Sequence, residues 1–170
     1  FQISATFPNL TVLENVRIGL QRKLGTEFHF WRSAKSLDAL NGEAMALLEA
    51  VDLTSFADTV TAEMPYGRKR ALEIATTLAL EPRMMLLDEP TQGMGGEDIA
   101  RVVELIRKVS ANRTILMVEH NLSVVANLCD RITVLTRGSV LAEGSYAEVS
   151  KNPKVLEAYV GSDDIADAHH

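Results

Sequence analysis

The chain has 170 residues, 46% hydrophobic and 24% charged, the composition of a soluble globular protein with one core or two small lobes. A net charge of −6 without any basic run disfavours a nucleic-acid partner bound through phosphates. The single cysteine, Cys129, excludes an internal disulfide framework and agrees with a reducing compartment; no stretch reaches the ~20 apolar residues of a membrane span, and the start is not a signal peptide.

Taken along the chain, the first half reads as helices. Thr11 followed by Glu14 is a capping-box pattern, and Leu13, Val16 and Leu20 mark the apolar stripe of the helix it opens. An irregular segment, "GTEFHFWRSAKS", holds the only tryptophan, Trp31. Leu37, Leu40, Ala44, Leu47, Leu48 and Val51 predict a second amphipathic helix. After Pro65, the spacing of Ala71, Ile74, Ala75, Leu78 and Ala79 predicts a third over residues 66–80. At Pro82 the rhythm changes. "MMLLD" predicts a short strand of the kind buried on both faces of a parallel sheet. Residues 97–110 read as a helix with Ile99, Val102, Val103 and Ile106 inward, and "TILMVEH" as a second apolar strand. Asn121 then caps a helix carrying Leu122, Val125 and Cys129, the cysteine serving as a small apolar core residue. "RITVLTRGSVLAEG" predicts two strands about the turn Arg137-Gly138. Short helices follow over 146–150 and 153–160, and the polar tail after Gly161 is expected to be loose. Alternating strand and helix predicts an α/β sheet built from crossover units. Two lobes result: a helical one, roughly 10–80, and an α/β layer, roughly 81–145.

The segment "MMLLDEPTQGMGG" places two carboxylates, Asp88 and Glu89, at the end of an apolar strand. Ligands of open α/β sheets sit beyond the carboxyl ends of the strands. One carboxylate there can hold a divalent cation while a second orients and deprotonates an attacking water. The plain structural alternative is that Asp88 caps the loop and Glu89 is solvated. Glu119 and His120 stand at the corresponding end of the neighbouring strand. Upstream, "MPYGRKRALEIA" sets a Pro-Tyr-Gly turn at a helix N-terminus, where free backbone N–H groups favour a phosphate. Arg68, Lys69 and Arg70 either add positive charge to that anion site or form a solvated helix face. At the start stands "FQ", followed by "FPNLTVLENV".

In this order and spacing, from Phe1 to about Gly161, these pieces resemble the ATP-binding subunit of ABC transporters. The resemblance implies an α/β, P-loop NTPase-like fold: a helical subdomain plus part of a RecA-like parallel sheet core, with the phosphate-loop segment absent. It divides the chain into a Q-loop segment at 1–9, a helical subdomain at 10–80, a core portion at 81–161 and a tail at 162–170. By the same resemblance Gln2 is the Q-loop glutamine, touching magnesium and the attacking water. Asp88 is the Walker B aspartate that supports Mg²⁺, and Glu89 the catalytic base. Met64 to Arg70 occupy the signature motif, whose Pro65, Tyr66, Gly67 and Arg68 close over the γ-phosphate of ATP held by a partner subunit. Gly93, Met94 and Gly95 fall on the D-loop, and His120 is the switch histidine. The implied cofactors are ATP and Mg²⁺. The implied partners are a second ATP-binding subunit, transmembrane permease subunits and, indirectly, an extracytoplasmic solute-binding protein, at the cytoplasmic face of a bacterial inner membrane.

Two departures point to a branch. Pro65 and Tyr66 replace the usual Ser-Gly of the signature, removing one hydroxyl, and Gly95 replaces the D-loop aspartate. Both changes, with "DEPTQGMGGED", "ILMVEHN" and "NPKVLEAYVG", look like the branched-chain amino-acid importers. A third departure is that no G-x-x-x-x-G-K-[ST] occurs anywhere. The expectation is truncation before the Q-loop, so that these residues alone bind no ATP, expose apolar strand surface and self-associate. Competing readings are a soluble ABC protein acting on DNA or ribosomes, which the negative charge opposes, and a non-catalytic regulatory fragment.

Overall fold

The computed structural model describes residues 6–23 and 38–158. Gln2, Trp31 with its segment, Leu37 and the tail after Gly161 lie outside the described residues. The chain divides into two compact units, residues 1–119 and 120–170.

The first unit opens with α1 (Val12–Lys23), α2 (Asn41–Ala50), two 3₁₀ turns (Thr54–Phe56, Thr61–Glu63) and α3 (Tyr66–Leu78). The predicted capping box starts α1: the Thr11 N–H donates to Glu14 Oε2 at 2.8 Å, and the Glu14 N–H donates to Thr11 Oγ1 at 3.2 Å. Val12, Val16 and Leu20 are buried from this helix, while Leu13 is half-buried. α2 stops one residue before Val51, because Asp52 turns left-handed at φ 56°. The Leu53 N–H then donates to the Leu48 carbonyl (2.8 Å) and the Asp52 N–H to the Glu49 carbonyl (3.2 Å), a Schellman closure with Leu48 and Leu53 both buried. α1, α2 and α3 pack on one another, and α3 also contacts α4. Their core comprises Val12, Val16, Leu20, Ala44, Leu48, Leu53, Ala71, Leu72, Ile74 and Ala75.

From Pro82 the unit becomes α/β: β1 (Met84–Asp88), α4 (Gly96–Ser110) and β2 (Thr114–Val118), the strands parallel with Asp88 opposite Val118. Parallel pairing joined by a helical crossover is the α/β class predicted. The expected burial of "MMLLD" on both faces is corrected. Met85 is buried and Leu87 half-buried, but Leu86 and Leu116 are 64% and 55% exposed, with Met84 and Val118 alongside them. No described layer covers that face, so an apolar surface stands open. On α4 the buried positions are Val102, Leu105, Ile106 and Val109; Ile99 and Val103 are only half-buried.

The second unit contains α5 (Leu122–Leu128), β3 (Ile132–Thr136), β4 (Ser139–Gly144), α6 (Tyr146–Val149) and a helical turn over 153–158. Asn121 caps α5 as predicted, accepting from the Ser123 and Val124 N–H groups at 3.1 and 3.3 Å. The inward residue is Val124 rather than Leu122, which is exposed. β3 and β4 form an antiparallel hairpin whose turn residues Arg137 and Gly138 both have positive φ, 48° and 77°. α6 packs on both strands. No helix among the described residues is long and apolar enough to cross a membrane.

Candidate active site

β1 carries Asp88 and Glu89 to the carboxyl end of the parallel pair. Asp88 is the last strand residue and is exposed. Glu89 follows at φ 42°, a left-handed conformation uncommon for a residue with a Cβ, and the strand ends there. Its N–H still donates to the Val118 carbonyl at 2.9 Å, and its carbonyl accepts from the Gln92 N–H at 3.1 Å. Pro90 and Thr91 are buried beneath this turn. The Thr91 N–H donates to Glu119 Oε1 at 3.2 Å, and the Thr91 hydroxyl donates to the same oxygen. Glu119 thus ties the loop after β1 to the end of β2, a role its sequence position beside His120 did not disclose.

Gly93, at φ 73°, leads to Met94, whose N–H donates to the Thr91 carbonyl at 3.3 Å. Gly95 is the N-cap of α4 and its carbonyl accepts from the Ile99 N–H at 3.0 Å. A Cβ on Gly95 would meet nothing within 4 Å. The glycine in place of the aspartate is therefore not required by local packing.

Pro65 is the N-cap of α3, its carbonyl accepting from the Arg68 and Lys69 N–H groups at 3.0 and 3.1 Å. Tyr66 is 61% exposed. Gly67 is buried, and a Cβ there would stand 2.8 Å from Asp98 Cγ and 3.2 Å from Asp98 Cβ. The close approach that glycine permits is made, in this chain, to α4. Each of the three cations that follow is tied to a carbonyl. Arg68 donates to the Asp52 carbonyl at 3.0 Å, its guanidinium 5.4 Å from the Phe56 ring centroid. Lys69 donates to the Ala62 carbonyl at 2.9 Å, and Arg70 to the Asp88 carbonyl at 2.9 Å. For Arg68 the reason is geometric: Asp52 lies just past the last turn of α2, where carbonyls lack helical partners. Arg68 to Arg70 therefore fasten the start of α3 to its surroundings instead of forming a solvated face.

The Gly67–Asp98 and Arg70–Asp88 contacts bring the start of α3 against the segment that follows β1. His120 is exposed and opens the second unit. Gln2 lies outside the described residues. Among those described, no three His, Cys, Asp or Glu side chains gather as a metal cage. A lone exposed Asp88 carboxylate does fit magnesium held by one or two carboxylates together with substrate phosphates.

A family profile described as "ABC transporter" matches residues 1–92, and one described as "Branched-chain amino acid ATP-binding cassette transporter" matches residues 139–165. The chain is 34% identical over 171 residues to the high-affinity branched-chain amino acid transport ATP-binding protein BraF of Pseudomonas aeruginosa, covering 95% of this chain and 66% of that protein. It is 33% identical over 170 residues to LivG of Escherichia coli, of the same description, with the same coverage of each. The chain thus spans slightly less than two thirds of the length of these relatives. A solved ATP-binding cassette of an ABC transporter superposes with a TM-score of 0.77 at 28% identity, over 94% of this chain and 66% of that one. A cassette in its ADP conformation superposes with a TM-score of 0.73 at 26% identity, over 91% and 64%.

Proposed function

The chain belongs to the ABC transporter family of ATP-binding proteins, and from that premise we propose that it serves as the ATP-hydrolysing subunit of an importer for branched-chain amino acids. The observation that supports this best is the pair Asp88 and Glu89 at the carboxyl end of a strand in a parallel pair. On this reading Glu89 orients the attacking water and takes its proton. Asp88 and Gln2 hold magnesium, which when bound offsets the charge developing on the phosphate oxygens. His120 contacts the γ-phosphate. Pro65, Tyr66, Gly67 and Arg68, with Met94 and Gly95, face ATP on a second, like subunit. The helical subdomain at 10–80 meets the transmembrane permease, and the core portion at 81–161 carries the hydrolytic residues. A solute-binding protein outside the membrane delivers the amino acid, and this subunit works at the cytoplasmic face of a bacterial inner membrane.

Uptake into proteoliposomes holding the assembled transporter tests the reading. Enclosed Mg-ATP should drive accumulation of leucine, isoleucine or valine when the binding protein is present. ATP turnover stimulated only by solutes of another class would remove the substrate assignment. Single-cysteine crosslinking from residues 10–80 to the permease's cytoplasmic loops should succeed; crosslinks only from the 131–145 hairpin would reverse the orientation.

A further inference from the structure

Asp88 and Glu89 share one peptide unit, and that unit is held from both sides. Its N–H, on Glu89, donates to the Val118 carbonyl of β2 at 2.9 Å. Its carbonyl, on Asp88, accepts from the Arg70 guanidinium of α3 at 2.9 Å. A second nitrogen of the same guanidinium meets the Glu73 carboxylate at 2.6 Å, one turn along α3. The Arg70 and Glu73 side chains are 16% and 18% exposed, so this pair is far better shielded from water than an ordinary surface ion pair. A planar peptide bound at both ends cannot rotate freely. With the strand pairing before it and the Gln92 N–H bond to the Glu89 carbonyl after it, its orientation restrains the directions in which the two flanking Cα–Cβ bonds leave the backbone. The restraint matters most at Glu89, whose φ of 42° persists only where surrounding structure enforces it.

We infer that Arg70 is a positioning residue for hydrolysis: it clamps the Asp88–Glu89 peptide from the α3 side and so aims both carboxylates. The inference rests on the proposed reading of Glu89 as the base. Arg70 touches no reacting atom and acts only through that peptide. Its planar fork can hold Glu73 and the Asp88 carbonyl together, whereas a lysine ammonium is a single point charge without that geometry.

The test uses Arg70→Met and Arg70→Lys in the protein assembled with its partners, beside Glu89→Gln. Arg70→Met should lower turnover at saturating ATP by about 10- to 100-fold, the size expected of a catalytic group displaced by an ångström or less. ATP affinity should stay close to wild type, and Arg70→Lys should recover part of the rate. In the Glu89→Gln background, Arg70→Met should cost nothing further, because the group it aims is gone. Should Arg70→Met fail to fold, Glu73→Gln loosens the same guanidinium and should show a smaller loss, again in kcat and not in KM. Unchanged turnover in these variants, an equal loss in ATP affinity, or losses that multiply with Glu89→Gln would overturn the clamp. An active Arg70→Met beside an inactive Glu89→Gln rejects only the clamp; a fully active Glu89→Gln rejects the reading beneath it.

Discussion

Asn15 offers the sharpest structural test outside the strand end. It is 2% exposed on α1, among the core positions Val12 and Val16. Its Oδ1 accepts from the Phe7 N–H at 2.7 Å. Its Nδ2 donates to the carbonyls of Phe7 and Thr11 at 3.1 and 2.9 Å and to the Thr61 hydroxyl at 3.0 Å. Asn15→Asp preserves volume and the Oδ1 acceptor but sets a second acceptor against two carbonyls. The Thr61 hydroxyl can rotate and donate instead. Two donor bonds at about 1 kcal/mol each, plus about 1 kcal/mol for burying a carboxyl in place of an amide, give a loss of about 3 kcal/mol. That is a large share of the ~5–15 kcal/mol that holds a typical domain together. In urea unfolding the midpoint should fall by about 1 M or more with the slope unchanged. The new carboxyl, buried among carbonyls, has its pKa raised in the folded state. Its protonated form supplies a donor, so the deficit should shrink as pH falls through that value and grow as pH rises through it. A loss below about 1 kcal/mol, half or less of what the two donor bonds alone supply, would refute the hub.

Gly67→Ala trades a helix-propensity gain of about 0.5–1 kcal/mol against overpacking of about 1–3 kcal/mol on Asp98, for a net loss near 1 kcal/mol. Asp98→Ala should restore it in a double-mutant cycle, and additivity would show that the contact is not the cause. The Glu14 carboxyl lies below its usual range, chiefly through the hydrogen bond from the Thr11 N–H and then that from its hydroxyl. A depressed folded pKa stabilises above the unfolded value, near 4.3, and that stabilisation is lost as pH falls through the folded one. Thermal melts of wild type and Glu14→Gln should therefore converge as pH falls from about 5 through the folded value, since glutamine serves the capping box without titrating. Parallel curves over that window would exclude the effect.

Local signals were the legible part of the sequence. The Thr11–Glu14 box and the Arg137-Gly138 turn each specify their own backbone within a few residues, and both occur as read. Burial was harder, because it depends on what lies opposite. "MMLLD" is apolar throughout, yet Leu86 is exposed for want of a covering layer. α5 spans seven residues, fewer than two full turns beyond its cap, so periodicity could not choose Val124 over Leu122. Asn15 escaped notice because a polar letter on an apolar stripe reads as solvent-facing until its partners at Phe7 and Thr61 are known. The Asp88-Glu89 pair was visible as chemistry. The peptide clamp by Arg70 was not, since spacing along a helix gives a charge but not the carbonyl it reaches.

The central claim is that Glu89 is the base of an ATP hydrolysis step, and Glu89→Gln in the assembled transporter tests it most directly. Binding of Mg-ATP and phosphate release are measured on the same preparation, the first by equilibrium titration and the second at saturating nucleotide. Removing the base while leaving Asp88 in place should preserve ATP affinity and cut phosphate release by about 10²-fold or more, the usual contribution of a positioned proton acceptor. Phosphate release at the wild-type rate, with affinity unchanged, would contradict the account.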